Sequence, residues 1–118
     1  MTFKRADRVN ALLQRELGTI ISEELADPRI AFSTVTEVKI TDDLRSARVH
    51  VSVLGDDEQI ASTMKALEEA TPYLRHELGT RTELRYVPEL TFVSDRSAER
   101  SARISTLLRQ AREREEKS

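Results

Sequence analysis

The segment from Arg45 to Leu54 alternates with a period of two. Ala47, Val49, Val51 and Val53 fall on one side, and Ser46, Arg48, His50 and Ser52 on the other. This is the pattern of a strand with one face buried and one face wet. A chain that contains it must cover one face of a sheet and leave the other polar. The cover is visible upstream. From about Arg5 to Ala26, Val9, Leu12, Leu13, Leu17, Ile20, Ile21 and Leu25 recur at helical spacing. They form one apolar stripe, with Lys4, Arg8 and Arg15 roughly opposite it and Arg5 at its edge. Gly18 interrupts this helix at a cost of about 1 kcal/mol relative to Ala, which suggests a close approach to a strand. Asp27-Pro28 ends it, because Pro disfavours helical geometry in the residue before it.

Ser33 to Ile40 predicts a first strand, and Thr41-Asp42-Asp43-Leu44 a turn of residues that bond their own backbone. The two strands then form an antiparallel hairpin. Asp56 or Asp57 caps a second helix with Ile60, Met64 and Leu67 inside. At Ala70-Thr71-Pro72 the pattern predicts a break and a short third helix from Pro72 to Leu78, closed by Gly79. Leu84 to Val93 reads as a third strand, with Leu84, Tyr86, Leu90 and Phe92 on one face. Pro88 within it implies an edge or a bulge. A last helix starts at Ser97, with Ile104, Leu107, Leu108 and Ala111 on its stripe, and ends in a charged tail. The expected division is a domain over 5–95 and a C-terminal helix and tail over 96–118.

The order α-β-β-α-α-β-α points to an α+β fold, helices on one face of a three-stranded sheet. Up to the third strand it is the order of a type II KH domain, an RNA-binding fold. Order alone does not fix a function.

The 118 residues suit one domain with its own core. The sequence has no Cys, which removes disulfides, thiolate metal sites and thiol nucleophiles and fits a reducing cytosol. No apolar run approaches the roughly 20 residues of a membrane-spanning helix, and Met1 to Asp7 does not read as a signal peptide. The glycines are too scattered for a phosphate-cradling loop. His50 and His76 read as surface residues rather than zinc ligands. Asp42-Asp43 and Asp56-Asp57 sit where turns and caps want Asp, and Glu68-Glu69 on a helix surface. A metal-dependent phosphoesterase would need a convergent carboxylate cluster, which this pattern does not offer. No cofactor is implied.

A net charge of −2 excludes a uniformly basic protein, so any RNA surface must be concentrated in one place. Lys4, Arg5, Arg8 and Arg15 lie on the first helix, Lys39, Arg45 and Arg48 on the hairpin, and Arg75, Arg81 and Arg85 around the third helix and third strand. If they converge, they make an arginine-rich surface suited to phosphate. Aromatic residues are few, and several look like core, which favours recognition of backbone and shape over base stacking.

Several strings carry a resemblance. They are Arg8-Val9, Glu24-Leu25-Ala26-Asp27-Pro28-Arg29-Ile30, Thr34-Val35-Thr36-Glu37-Val38, and the run from Asp43 to Gly55. Arg75-His76-Glu77-Leu78-Gly79, Leu84 to Phe92, and Asp95, Ser97, Glu99 and Arg103-Ile104 follow in order. Together, over about residues 5 to 108, they resemble the ribosome-binding factor A family. The resemblance implies a type II KH-like fold in the bacterial cytosol. It implies a non-catalytic protein that binds the 30S subunit and its 16S rRNA in late maturation, including 5′-end processing. Nothing in the sequence demands more than a monomer, and an assembly GTPase is a further candidate partner for release. The family's Ala-x-Gly kink corresponds to Ala70, Thr71 and Pro72, so Pro replaces Gly and removes one backbone N–H that could meet a phosphate. Ser101 stands where the family often has Gly. The alternative reading is a protein-interaction module of the same fold.

Overall fold

The computed structural model describes residues 5–30, 33–95 and 109–111. Helix α1 spans Arg5–Thr19, strand β1 Ser33–Ile40, strand β2 Ser46–Val53, helix α2 Asp57–Arg81 and strand β3 Glu89–Ser94. A π turn over Ile20–Glu24 and a 3-10 turn over Pro28–Ile30 join α1 to β1. The protein is α+β and KH-like, with α1 and α2 packed on one face of a three-stranded sheet of order β1-β2-β3. Arg109–Ala111 are helical. The rest of the expected C-terminal unit lies outside the described residues.

The central strand behaves as its alternation predicts. Ala47, Val49 and Val51 are buried, whereas Ser46 and Arg48 are exposed. β1 pairs with β2 antiparallel, Val38 opposite Val49 and Ile40 opposite Ala47, with a register shift between Val35 and Glu37. β3 joins the other side of β2 in parallel, Leu90 beside Ala47 and Phe92 beside Val49. A parallel neighbour needs a long crossover, and α2 supplies it. Leu13 and Leu17 of α1 and Leu67, Leu74 and Leu78 of α2 are fully buried, so both helices close over the inner side of the sheet.

Four boundaries differ from expectation. α1 ends at Thr19, and the stripe continues in a π turn in which Leu25 N–H donates to the Ile20 carbonyl at 3.2 Å. The wider turn lets Ile20 and Ile21 both face inward. The break expected at Thr71-Pro72 is absent: α2 is one helix with Pro72 inside it. The helix tolerates Pro72 where it lacks one rung, since Pro72 offers no N–H to the Glu68 carbonyl. Gly79 therefore does not close the helix; Thr82 does, with its N–H on the Leu78 carbonyl. The third strand begins at Glu89, not Leu84, and buried Pro88 precedes it rather than interrupting it. That placement leaves all six β3 residues able to pair with β2.

Asp56 caps α2. It accepts from Gln59 N–H at 2.8 Å, and Gln59 Oε1 accepts from Asp56 N–H at 2.9 Å. Gly55 precedes this box at φ 143°, and a Cβ there would lie 2.2 Å from Gln59 Oε1, so only glycine fits. Gly18 is different. A Cβ at Gly18 meets nothing within 4 Å, so the expected close approach to a strand does not occur. Gly18→Ala should therefore raise stability by about 0.5–1 kcal/mol, read as a higher denaturation midpoint at unchanged slope. Gly55→Ala should lower the midpoint.

Candidate nucleic-acid interface

The chain reverses between β1 and β2 through a turn that places the first group of cations. Leu44 N–H donates to the Thr41 carbonyl at 2.9 Å, and Thr41 N–H to the Ser46 carbonyl at 2.8 Å. Asp43 Oδ1 accepts from Thr41 Oγ1 at 2.5 Å and from Arg45 N–H at 3.0 Å. These hydrogen bonds, Thr41's first, hold the Asp43 carboxyl below its ordinary value. Leu44 is forced into the left-handed region at φ 62°, at about 1–2 kcal/mol for an L residue. Half-buried Leu44 lines a hollow.

That hollow, of about 270 Å³, lies between the start of α1, the turn and the segment before β3. Val9, Ile40, Leu44 and Leu84 contribute its apolar surface, and Arg5, Arg45 and Arg85 its charge. All three arginines are exposed and make no ion pair among the described residues. A neighbouring hollow shares Arg45 and Tyr86. Around the turn, on the sheet face away from the helices, Lys39 and Arg48 are register partners, and Thr91 lies beyond Arg48. A shallow groove runs along Lys39, Arg48 and Thr91. The basic surface thus bends around one end of the sheet.

The other predicted cations divide. Arg8 is exposed and makes no ion pair among the described residues; Arg15 lies 3.7 Å from Glu16, and Lys39 lies 3.8 Å from Glu37. Lys4 lies outside the described residues. Arg75 is committed elsewhere: its Nε and Nη2 donate to the Pro88 and Val87 carbonyls at 3.1 and 3.0 Å. It ties the segment before β3 to α2. Arg81 pairs with Glu24 and, at 3.1 Å, with Glu77, joining α2 to the π turn at the far end of α1 from Arg5. Hydrogen bonds to Glu24 and then Glu77 raise its pKa further. Two of the three guanidinium nitrogens of each arginine are thus engaged within the protein. Arg29, not among the predicted cations, is likewise held by Asp27 and Glu69, at 2.7 and 3.0 Å.

At the expected kink, Ala70 and Thr71 are half-buried and Pro72 is exposed. Thr71 Oγ1 donates to the Leu67 carbonyl at 3.0 Å. A groove beside them, between α2 and β3, is lined by Met64, Lys65, Glu68, Thr71, Leu90 and Phe92. It carries one cation and one anion from α2, so it lacks the charge bias of the hollow at the turn.

Sequence reasoning missed Asn10 and Tyr86. Asn10 Oδ1 accepts from Ile40 N–H at 2.7 Å and fixes α1 over the end of β1. A lone Asn on a helix gives no signal of this. Tyr86, assigned to a buried strand face, is 70% exposed beside Arg85, whose guanidinium carbon lies 5.8 Å from the ring centre. His50 is half-buried rather than surface, with Nε2 lacking a hydrogen-bond partner. Among the described residues no group of three or more His, Asp or Glu is placed to hold a metal ion.

Residues 5–108 match the family described as ribosome-binding factor A. The ribosome-binding factor A of Desulfitobacterium hafniense is 45% identical over 117 residues, covering 99% of this chain and 94% of that protein. The chain belongs to the ribosome-binding factor A family. The crystal structure of ribosome-binding factor A from Thermus thermophilus is similar, with a TM-score of 0.70 and 29% identity over 80% of this chain and all of that one. So is a homology model of Thermus thermophilus ribosome-binding factor A fitted into a cryo-electron-microscopy map of its complex with the 30S subunit. Its TM-score is 0.62 at 31% identity, over 74% of this chain and 91% of that one.

In this ribosome-binding factor A fold, Arg75→Met should leave the Val87 and Pro88 carbonyls unpaired. The expected loss is about 1–3 kcal/mol, measured by chemical denaturation. Asp43 predicts a pH response. Its folded pKa is lowered, so its contribution is full above the unfolded carboxylate value, about 4. It is lost as pH falls through the folded value. Thermal midpoints between pH 6 and 2 should fall less steeply for Asp43→Asn than for the parent.

Proposed function

We propose that this chain binds the 30S subunit through 16S rRNA in the bacterial cytoplasm. It acts there in late maturation, including 5′-end processing of the precursor, as a non-catalytic monomer. The observation that carries this reading is the convergence at one end of the sheet of Arg5, Arg45 and Arg85, which make no ion pair among the described residues, continued by Lys39 and Arg48. Arg8 and Arg15 extend it along α1. Phosphate contacts of this kind position a protein on RNA without reading its sequence. Support for the subunit as partner comes from the Thermus thermophilus relative in complex with 30S.

The factor acts by holding an immature rRNA conformation. Such an effect requires tighter binding to that conformation than to the mature one. Release then follows formation of mature contacts or the action of an assembly GTPase. Arg75 and Arg81 are left out of this RNA surface, because two of the three guanidinium nitrogens of each already donate to protein carbonyls or carboxylates.

Sucrose-gradient sedimentation tests the reading. The tagged protein should comigrate with free 30S subunits or their precursors at low salt and leave them as salt rises. Arg8→Glu with Arg48→Glu should weaken the association while the protein stays folded, each lost phosphate contact making the log–log salt slope shallower by about 1. Migration at the top of the gradient at every salt would instead support the protein-interaction reading.

A further inference from the structure

Beyond phosphate contact, and resting on the RNA-binding reading, we propose that the hollow beside the turn takes one unpaired RNA nucleotide. Its base stacks on Tyr86, and its flanking phosphates lie on Arg5, Arg45 and Arg85. Three observations converge. Tyr86 is 70% exposed in a chain with only five aromatic residues. An exposed aromatic ring is available to a base, and base–aromatic stacking is worth about 1–3 kcal/mol. Next, the hollow has an apolar floor of Val9, Ile40, Leu44 and Leu84 under a rim of three arginines. That pairing suits a flat heterocycle below and a charged backbone above. At about 270 Å³ it falls just under the range of pockets for drug-sized ligands, roughly 300–1,000 Å³. A single base fits this scale, and a paired one has no free face to offer. Lastly, the Arg85 guanidinium lies over one face of the Tyr86 ring, 5.8 Å from its centre, a contact that orients the ring and leaves its other face for a base.

Asp43 also lines the hollow. Its carboxylate is engaged by Thr41 and the Arg45 N–H, and three cations face the same space, so the site remains net positive. The groove between α2 and β3 lacks both features, having no exposed aromatic ring and a balanced charge.

The test uses the full chain and two short single-stranded RNAs of equal length, one intact and one with every base removed. Binding is read by fluorescence anisotropy at low salt. The intact RNA should bind about 5- to 100-fold more tightly, the scale of one stacked base. Tyr86→Ala should abolish that preference and leave the abasic affinity unchanged, with a thermal midpoint near the parent's. Tyr86→Phe should keep the preference, and so should Tyr73→Ala, which alters the other exposed tyrosine. Equal binding of the two RNAs, or an equal loss on both from Tyr86→Ala, would overturn the nucleotide site. So would failure to bind either RNA by a chain that still sediments with 30S subunits. A chain that binds neither RNA nor 30S overturns the reading under Proposed function as well.

Discussion

The register of β2 is the constraint on which the rest of the molecule depends. It is the middle strand, and its inner residues Ala47, Val49 and Val51 are 2%, 0% and 0% exposed. Burying a valine side chain stabilises by roughly 1.5–3 kcal/mol, so the inner face of this strand anchors the core under both helices. A slip of one residue would turn Arg48 and His50 inward and the valines outward. The turn from Thr41 to Ser46 fixes the register at one end, and the same turn sets Arg45 at the strand's entrance. The outward row of Lys39 and Arg48 and the position of Arg45 are therefore consequences of core packing. The proposed phosphate surface needs no separate scaffold.

The elements with a clean period were legible from residue types alone. The hairpin, the inner face of α1 and a cap at Asp56 or Asp57 all follow from spacing, and the structure has the first two where the spacing puts them and assigns the cap to Asp56. The misses have physical reasons. Thr71-Pro72 reads locally as a helix start, but Leu67, Leu74 and Leu78 share one buried face across it. Tertiary burial there outweighs the missing rung at Pro72. Leu84 and Tyr86 extend the apolar alternation of β3 backwards, yet buried Pro88 and the two Arg75 hydrogen bonds hold this stretch as a loop. The consequence reaches the site, because a loop can present Tyr86 outward where a strand would have buried it.

The cations show why composition gave only a bound on function. Arg5, which makes no ion pair among the described residues, and committed Arg81 are indistinguishable in a list of residues. What separates them is whether a carboxylate or carbonyl lies within reach, and that is decided by tertiary placement. Glu24 and Glu77 reach Arg81, and Asp27 and Glu69 reach Arg29. Both groups brace segments near the end of α1 remote from Arg5. Asp56 is engaged by Gln59, and Asp43 by Thr41 and the Arg45 N–H.

A net charge of −2 is thus compatible with a surface that attracts polyanions. Attraction at contact range depends on local potential, and salt screens exposed charges beyond about 8 Å at physiological ionic strength. Carboxylates already paired with Arg29 and Arg81 contribute little field at the far end of α1. Arg5, Arg45 and Arg85 share one hollow with a single carboxylate, itself held in the turn. Redistribution of charge by the fold, with acids set against structural arginines, is what lets a mildly acidic chain present a basic face. A variant that freed Arg81 by replacing Glu24 and Glu77 with neutral residues would bring the net charge from −2 to 0 without adding to that face, so affinity for RNA should track the site and not the total.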